Sequence, residues 1–177
     1  MKITLVAGSN RKHATSTKLS RYIEQQLVSN GHEVAFFDLY EKPIPFYSPD
    51  TSLNTDLHLI ELKAIMLQSH AIILSTPDYH GSISGVLKNA LDHLGFAHFD
   101  SKVVLSVSSA GGLVGMSSLT QLQTIIRNVH GINCPEWISI GSGQHGFTED
   151  GAPEQLKVKE RVHTTLQYFL RMAAKLA

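Results

Sequence analysis

The sequence predicts an α/β protein: an open parallel sheet covered on both faces by helices. Three observations predict it. Five short apolar runs alternate with segments of helical period along the chain, the pattern of repeated βα units. The run Ala71-Ile72-Ile73-Leu74-Ser75 is almost wholly apolar, as a strand buried on both faces must be. Ser- and Gly-containing turns follow the first, third and fourth runs, where open α/β sheets carry their binding loops. A chain of 177 residues with 42% hydrophobic residues can fill one substantial core, so one domain is expected over residues 1–177.

The elements follow in order. Lys2 to Ala7 reads as strand one, and Thr17 to Asn30 as a helix with Leu19, Ile23, Leu27 and Val28 on its inner side and Gly31 as its stop. Glu33 to Asp38 is strand two. Pro43, Pro45 and Pro49 then forbid either regular element. A second helix over about Thr55 to Ser69 leads into strand three, and Gly85 to Leu94 forms a third helix. Lys102 to Ser108 is strand four, followed by Gly111-Gly112 and a helix near Ser118 to Val129. Glu136 to Ile140 is strand five. The polar stretch Gly141 to Gly151 reads as a mobile loop, and Pro153 to Ala174 closes the domain as an amphipathic helix with Leu156, Val162, Leu166, Phe169 and Leu170 inward.

Lys plus Arg and Asp plus Glu stand at 15 each, so no charge excess draws the chain to nucleic acid or to an acidic membrane. Small-molecule chemistry is the expectation. The lone Cys134 has no intrachain partner, and the N-terminal apolar stretch is too short for a signal peptide, which points to a reducing, cytoplasmic setting. Ten histidines show no metal-ligand spacing, so no metal site is expected.

The first turn, Gly8-Ser9-Asn10-Arg11, followed by Thr15-Ser16-Thr17 at a helix start, suits an anion. Unpaired N–H groups at the head of a helix point the same way and hold phosphate, with hydroxyls and an arginine adding charge-assisted contacts. It is not a nucleoside triphosphate loop, because no second glycine followed by Lys-Ser/Thr appears at the required spacing. Nor does the chain carry the glycine fingerprint of a dinucleotide fold. Taken singly, Ser9, Ser16 and Thr17 serve equally well as loop or capping hydroxyls, and Arg11 as a solvated charge. Their clustering favours binding.

With Thr76-Pro77-Asp78-Tyr79-His80-Gly81-Ser82, Leu87-Lys88-Asn89-Ala90-Leu91-Asp92 and Ser108-Ser109-Ala110-Gly111-Gly112 following in this order, the chain resembles the NAD(P)H-dependent FMN reductases, including their azoreductase and quinone-reductase members. The resemblance spans Lys2 to about Gly143. It implies a flavodoxin-like three-layer sandwich with five parallel strands in the order 2-1-3-4-5. It also implies a flavoprotein oxidoreductase that takes hydride from NADPH or NADH onto FMN and passes electrons to flavin, quinone or azo acceptors.

By the same resemblance Ser9, Arg11, Ser16 and Thr17 surround the flavin phosphate. Thr15 stands in for the serine that such proteins often carry at Ala14. Pro77, Asp78, Tyr79, His80 and Gly81 lie beside the ribityl chain and ring, and Ser108, Gly111 and Gly112 belong to the loop at the ring's other polar edge. Asp78 and His80 replace a frequent glutamate and asparagine. No residue is assigned as a catalytic acid or nucleophile, since the cofactor carries the redox chemistry.

A homodimer or dimer of dimers is implied as well. Leu87, Leu91, Leu94, Phe96 and Phe99 serve either its interface or the monomer core, Met116 is read as core or interface packing, and Tyr79 as a packing residue or a ring contact. The competing functional reading is a flavodoxin-like electron carrier or a regulatory FMN-binding protein.

Overall fold

A computed structural model describes residues 1–50, 55–113 and 115–176. Six parallel strands form one sheet: β1 (Lys2–Ala7), β2 (Glu33–Asp38), β3 (Ala71–Pro77), β4 (Val103–Ser109), β5 (Ile132–Asn133) and β6 (Ile138–Ile140). The order is β2-β1-β3-β4-β5, with β6 also on β4. This is the flavodoxin-like order expected, with one correction. The fifth strand is broken in two: β5 pairs Ile132 with Val103 at the lower end of β4, and β6 pairs Ile138 with Val107 at the upper end. Pro135 lies in the gap, where it offers no N–H to the ladder.

The helices are α1 (Thr15–Ser29), α2 (Leu57–Gln68), α3 (Gly85–Asp92), α4 (Phe96–Phe99), α5 (Met116–Asn128) and α6 (Leu156–Leu176). Alternate strand residues point to opposite faces, and the core divides accordingly. Ile3, Leu5, Ile73, Leu105 and Val107 meet Leu19, Ile23 and Leu27 of α1 and Val162, Leu166 and Phe169 of α6. Val6, Ile72, Leu74 and Val104 meet Leu62 and Met66 of α2, Leu87 and Leu91 of α3, Phe99 of α4 and Leu122 and Ile126 of α5. Three layers result.

Several side chains take a different face from the one expected. Val28 and Leu156 are 55% and 67% exposed, and of the two readings of Met116 its exposure excludes the core and leaves the interface. Each lies at or beside a helix terminus, where the backbone leaves the sheet. Leu87, Leu91, Leu94 and Phe99 are buried within the chain's own core. Phe96 alone of that set faces outward, stacked on His130 with centroids 4.2 Å apart.

Gly8 draws the first loop against the third strand. Its N–H donates to the Ser75 carbonyl at 2.7 Å, and a Cβ at this position would lie 2.6 Å from that same oxygen and 2.8 Å from Leu87 Cβ. Only glycine permits so close an approach. The carboxyl ends of β1, β3 and β4 therefore open onto one shared surface.

Candidate functional site

The head of α1 is unpaired. Ala14 is its N-cap and has no side chain to accept from the first turn, so the orphan N–H groups of that turn lack the usual partner. The Ser16 and Thr17 hydroxyls are enclosed and have no hydrogen-bond partner among the described residues. Unmet buried hydroxyls are costly and rare. Ser9 lies beneath them, wholly buried, and its hydroxyl accepts from the Arg11 N–H at 3.2 Å. The Arg11 guanidinium stands in solvent at the rim and makes no salt bridge among the described residues. These groups fit an anion such as the FMN phosphate.

The third loop is a tight hairpin turn. Tyr79 N–H and Ser82 N–H exchange bonds with each other's carbonyls at 3.0 and 3.1 Å, and His80 and Gly81 between them have φ of 54° and 74°. Positive φ at both central residues is the type I′ arrangement, which histidine, like asparagine, tolerates better than most residues. Asp78 is occupied in supporting it: its Oδ1 accepts from the Gly81 N–H at 3.0 Å. The turn thus consumes the Tyr79 and Gly81 donors. His80 N–H is the one left unpaired there among the described residues.

The fourth loop shows the same economy. Ala110 N–H donates to the Ile140 carbonyl at 2.9 Å, leaving the N–H groups of Gly111 and Gly112 as the donors without described partners. Ser108 is buried, and its hydroxyl lies 2.9 Å from that of Ser118, so it supports the wall from behind. Gly115, the N-cap of α5, passes directly over it: an added Cβ would collide with Ser108 Oγ and lie 3.2 Å from Asp78 Cβ.

Between these loops lies a cleft of about 400 Å³ lined by Arg11, Ala14, Thr15, Pro77, Asp78, Tyr79, Ser109, Ala110, Gly111 and His145. The three loops singled out in the sequence therefore meet. Of the residues expected there, Arg11, Thr15, Pro77, Asp78, Tyr79 and Gly111 form its walls. His80, Gly81 and Gly112 sit at exposed edges of the loops, Ser9, Ser16 and Ser108 lie buried behind them, and Thr17 opens on an adjoining hollow.

Two contributors were not anticipated. His145 reaches the cleft from the polar stretch after β6, its Nε2 donating to the Ala110 carbonyl at 2.9 Å. That stretch is tied down rather than loose, by Ser142 N–H to the Gly112 carbonyl at 2.6 Å and Glu154 N–H to the Gly146 carbonyl at 3.0 Å. Ser84 is buried; its hydroxyl donates to the Gly8 carbonyl at 2.5 Å and accepts from the Leu87 N–H at 3.1 Å. It caps α3 and fastens the first loop to the third. A serine immediately before the first helical residue is a cap signature, so Ser84 was within reach of the sequence, whereas nothing local marks His145.

Residues 1–145 match the profile of the NADPH-dependent FMN reductases. The chain belongs to this family. It is 34% identical over 156 residues to an FMN-dependent NADPH-azoreductase of Staphylococcus aureus, covering 86% of this chain and 83% of that protein. In fold it is similar to FerB, a flavoenzyme NAD(P)H:(acceptor) oxidoreductase of Paracoccus denitrificans, with a TM-score of 0.83, 21% identity and 99% and 98% of the two chains covered. A flavodoxin from the domain Archaea shares the fold at a TM-score of 0.63 and 15% identity, over 97% and 98% of the chains. The reductase is an NAD(P)H-dependent flavoprotein oxidoreductase with FMN as its cofactor. Among the described residues no helix is long and apolar enough to cross a membrane.

Proposed function

We propose that the three-loop cleft holds FMN with its phosphate at the head of α1 and its ring between the third and fourth loops, and that small planar acceptors, whether flavins, quinones or azo compounds, share the open face with the nicotinamide. The observation that carries this is the unmet polar set at α1: a helix start with no side-chain cap, two enclosed hydroxyls without partners among the described residues, and Arg11 at the rim with no salt bridge among them. An anion supplies the acceptor that all of them lack. Bound FMN supplies the hydride-accepting and electron-donating chemistry. The protein's share is position and charge.

Ser9 and Ser84 hold the first loop in place through Arg11 N–H and the Gly8 carbonyl. Ser16, Thr17 and Arg11 bind the phosphate. Pro77, Asp78 and Tyr79 shape the wall beside the ribityl chain and ring, Asp78 doing so through the Gly81 N–H it holds. The N–H groups of His80, Gly111 and Gly112, which have no partner among the described residues, favour negative charge at the cleft. His145 steadies the fourth loop by its bond to Ala110.

The reductase is proposed to work in the cytoplasm as a homodimer or dimer of dimers. Leu113 and Met116, exposed by 87% and 54% beside the fourth loop, support an assembly that covers them, and sedimentation checks it. The test of the reading as a whole compares FMN with riboflavin. FMN is expected to bind far more tightly, and the bound flavin to bleach on mixing with NADPH or NADH and to turn over repeatedly with an acceptor. Equal affinity for the two flavins overturns the phosphate assignment. Tight FMN binding without reduction by either nicotinamide favours a carrier.

A further inference from the structure

On the outer flank of the first loop lies a second hollow, of about 360 Å³, between α1 and the end of β2. Its wall carries Arg11, Lys12, Lys18 and Arg21 with His13, against the carboxylates of Asp38 and Glu41. Arg21 is already engaged, paired with Glu24 at 2.9 Å and stacked on Phe36 at 3.5 Å. Arg11, Lys12 and Lys18 have no salt-bridge partner among the described residues. Asp38 is turned into its own loop, accepting from the Tyr40 N–H at 3.0 Å, and burial pushes its carboxyl upward, toward the neutral form. Glu41 is then the one exposed carboxylate facing Arg11, Lys12 and Lys18, and the open face of the hollow carries a net positive charge.

The local backbone aims these charges outward. Ala14 N–H closes a turn onto the Arg11 carbonyl at 3.2 Å, which places Lys12 and His13 at the two projecting positions. His13 has φ of 56°, a left-handed conformation that glycine adopts at less cost. The histidine there sets a ring donor beside the two lysines.

Two features say what occupies the hollow. Arg11 lines both it and the three-loop cleft, so the two adjoin at that side chain. At its other end Tyr40 is shared with an apolar hollow of about 280 Å³ that includes Ile44, Val86 and Phe46, and Phe46 is 87% exposed. A cationic pocket flanked by exposed aromatic rings, beside the cleft assigned above to flavin and nicotinamide, suits a phosphomonoester attached to a planar base.

We infer that this flank recognises the adenosine end of NADPH, with Lys12, His13 and Lys18 on the 2′-phosphate and Tyr40 and Phe46 against the adenine. The inference rests on the assignment of the three-loop cleft to flavin and nicotinamide. The chemistry selects NADPH over NADH, because a 2′-hydroxyl cannot replace a phosphate of about two negative charges in front of unpaired cations.

The test is calorimetric titration of the protein, both free and loaded with FMN, with 2′,5′-ADP, 5′-AMP and inorganic phosphate. In the parent, 2′,5′-ADP is expected to bind at least about tenfold more tightly than 5′-AMP, and inorganic phosphate at millimolar levels not to displace it. Lys12→Ala with Lys18→Ala should abolish the difference while FMN affinity stays as it was, and His13→Gly should reduce it. Phe46→Ala should weaken both nucleotides alike. Equal affinity for the two nucleotides in the parent overturns the inference, and so does discrimination that survives loss of both lysines. A parallel loss of FMN affinity in the double variant overturns it too, since the lysines then serve the flavin phosphate. Nucleotide discrimination in a protein that fails to take up FMN leaves this inference standing and refutes the cleft assignment instead.

Discussion

Ser84→Ala removes one hydroxyl that does two jobs. The hydroxyl caps α3 by accepting from Leu87 N–H at 3.1 Å, and it donates at 2.5 Å to the Gly8 carbonyl, to which no other described donor runs. Loss of a helix N-cap costs about 1 kcal/mol. Leaving a buried carbonyl without its donor costs a further ~1–3 kcal/mol. The expected destabilisation is then about 3 kcal/mol, and for a chain of this length that lowers Tm by roughly 6–12 °C. Asp56→Ala isolates the first term, because Asp56 caps α2 through a single bond to Leu59 N–H at 2.8 Å, and it should lower Tm by only about 2–4 °C. Thermal unfolding of both variants, with and without FMN, separates the tie from the cap. Stabilisation by FMN should shrink in Ser84→Ala, since the first loop loses its anchor. Equal Tm losses in the two variants would refute the claim that Ser84 fastens the first loop to the third.

Three further outcomes are expected. Arg11→Ala should raise the FMN dissociation constant by about tenfold, with reduction by NAD(P)H recovering at saturating FMN; a fully loaded variant that still reduces slowly would move Arg11 to the reacting end. His80→Val, a β-branched residue at φ 54°, should cost about 1–2 kcal/mol in urea unfolding while His80→Asn costs almost nothing; equal effects would count against the I′ turn. Burial holds the His98 imidazole below its ordinary value, so below about pH 6.5 the unfolded chain binds the proton more readily and stability falls as pH falls. Denaturant titrations between about pH 5 and 7 should therefore show a shallower slope in His98→Gln than in the parent, and an unchanged slope would mean that His98 does not supply this dependence.

The parts of the fold that announce themselves locally were legible. β1, β2 and β3 are continuous apolar or alternating runs bounded by turn residues, and they lie where the sequence puts them to within two residues. The strand at the far edge was not, because Ile132-Asn133 is too short to register as a strand and pairs only where β4 presents its lower end. The binding loops were legible as loops. What each side chain does within them was not: the bond from Asp78 to Gly81 and the contact of Ser108 with Ser118 depend on a turn type and a neighbouring helix. His145 is the clearest case. It arrives at the cleft through a chain of loop hydrogen bonds ending on Ala110, a tertiary fact with no periodic or compositional trace.

The break between β5 and β6 also bears on how the sheet ends. A long, flat outer strand offers an unbroken row of backbone donors and acceptors to any other chain that drifts past, and is a template for aggregation. Here that border consists of two residues, an interruption containing Pro135, and then three residues. Neither piece is long enough to hold a foreign strand in register. Both lie against β4, and the interruption keeps the outer row from being read as one. Filling the gap, by replacing Pro135 and restoring a continuous outer strand, would create an adhesive margin on a protein that is built without one on this side.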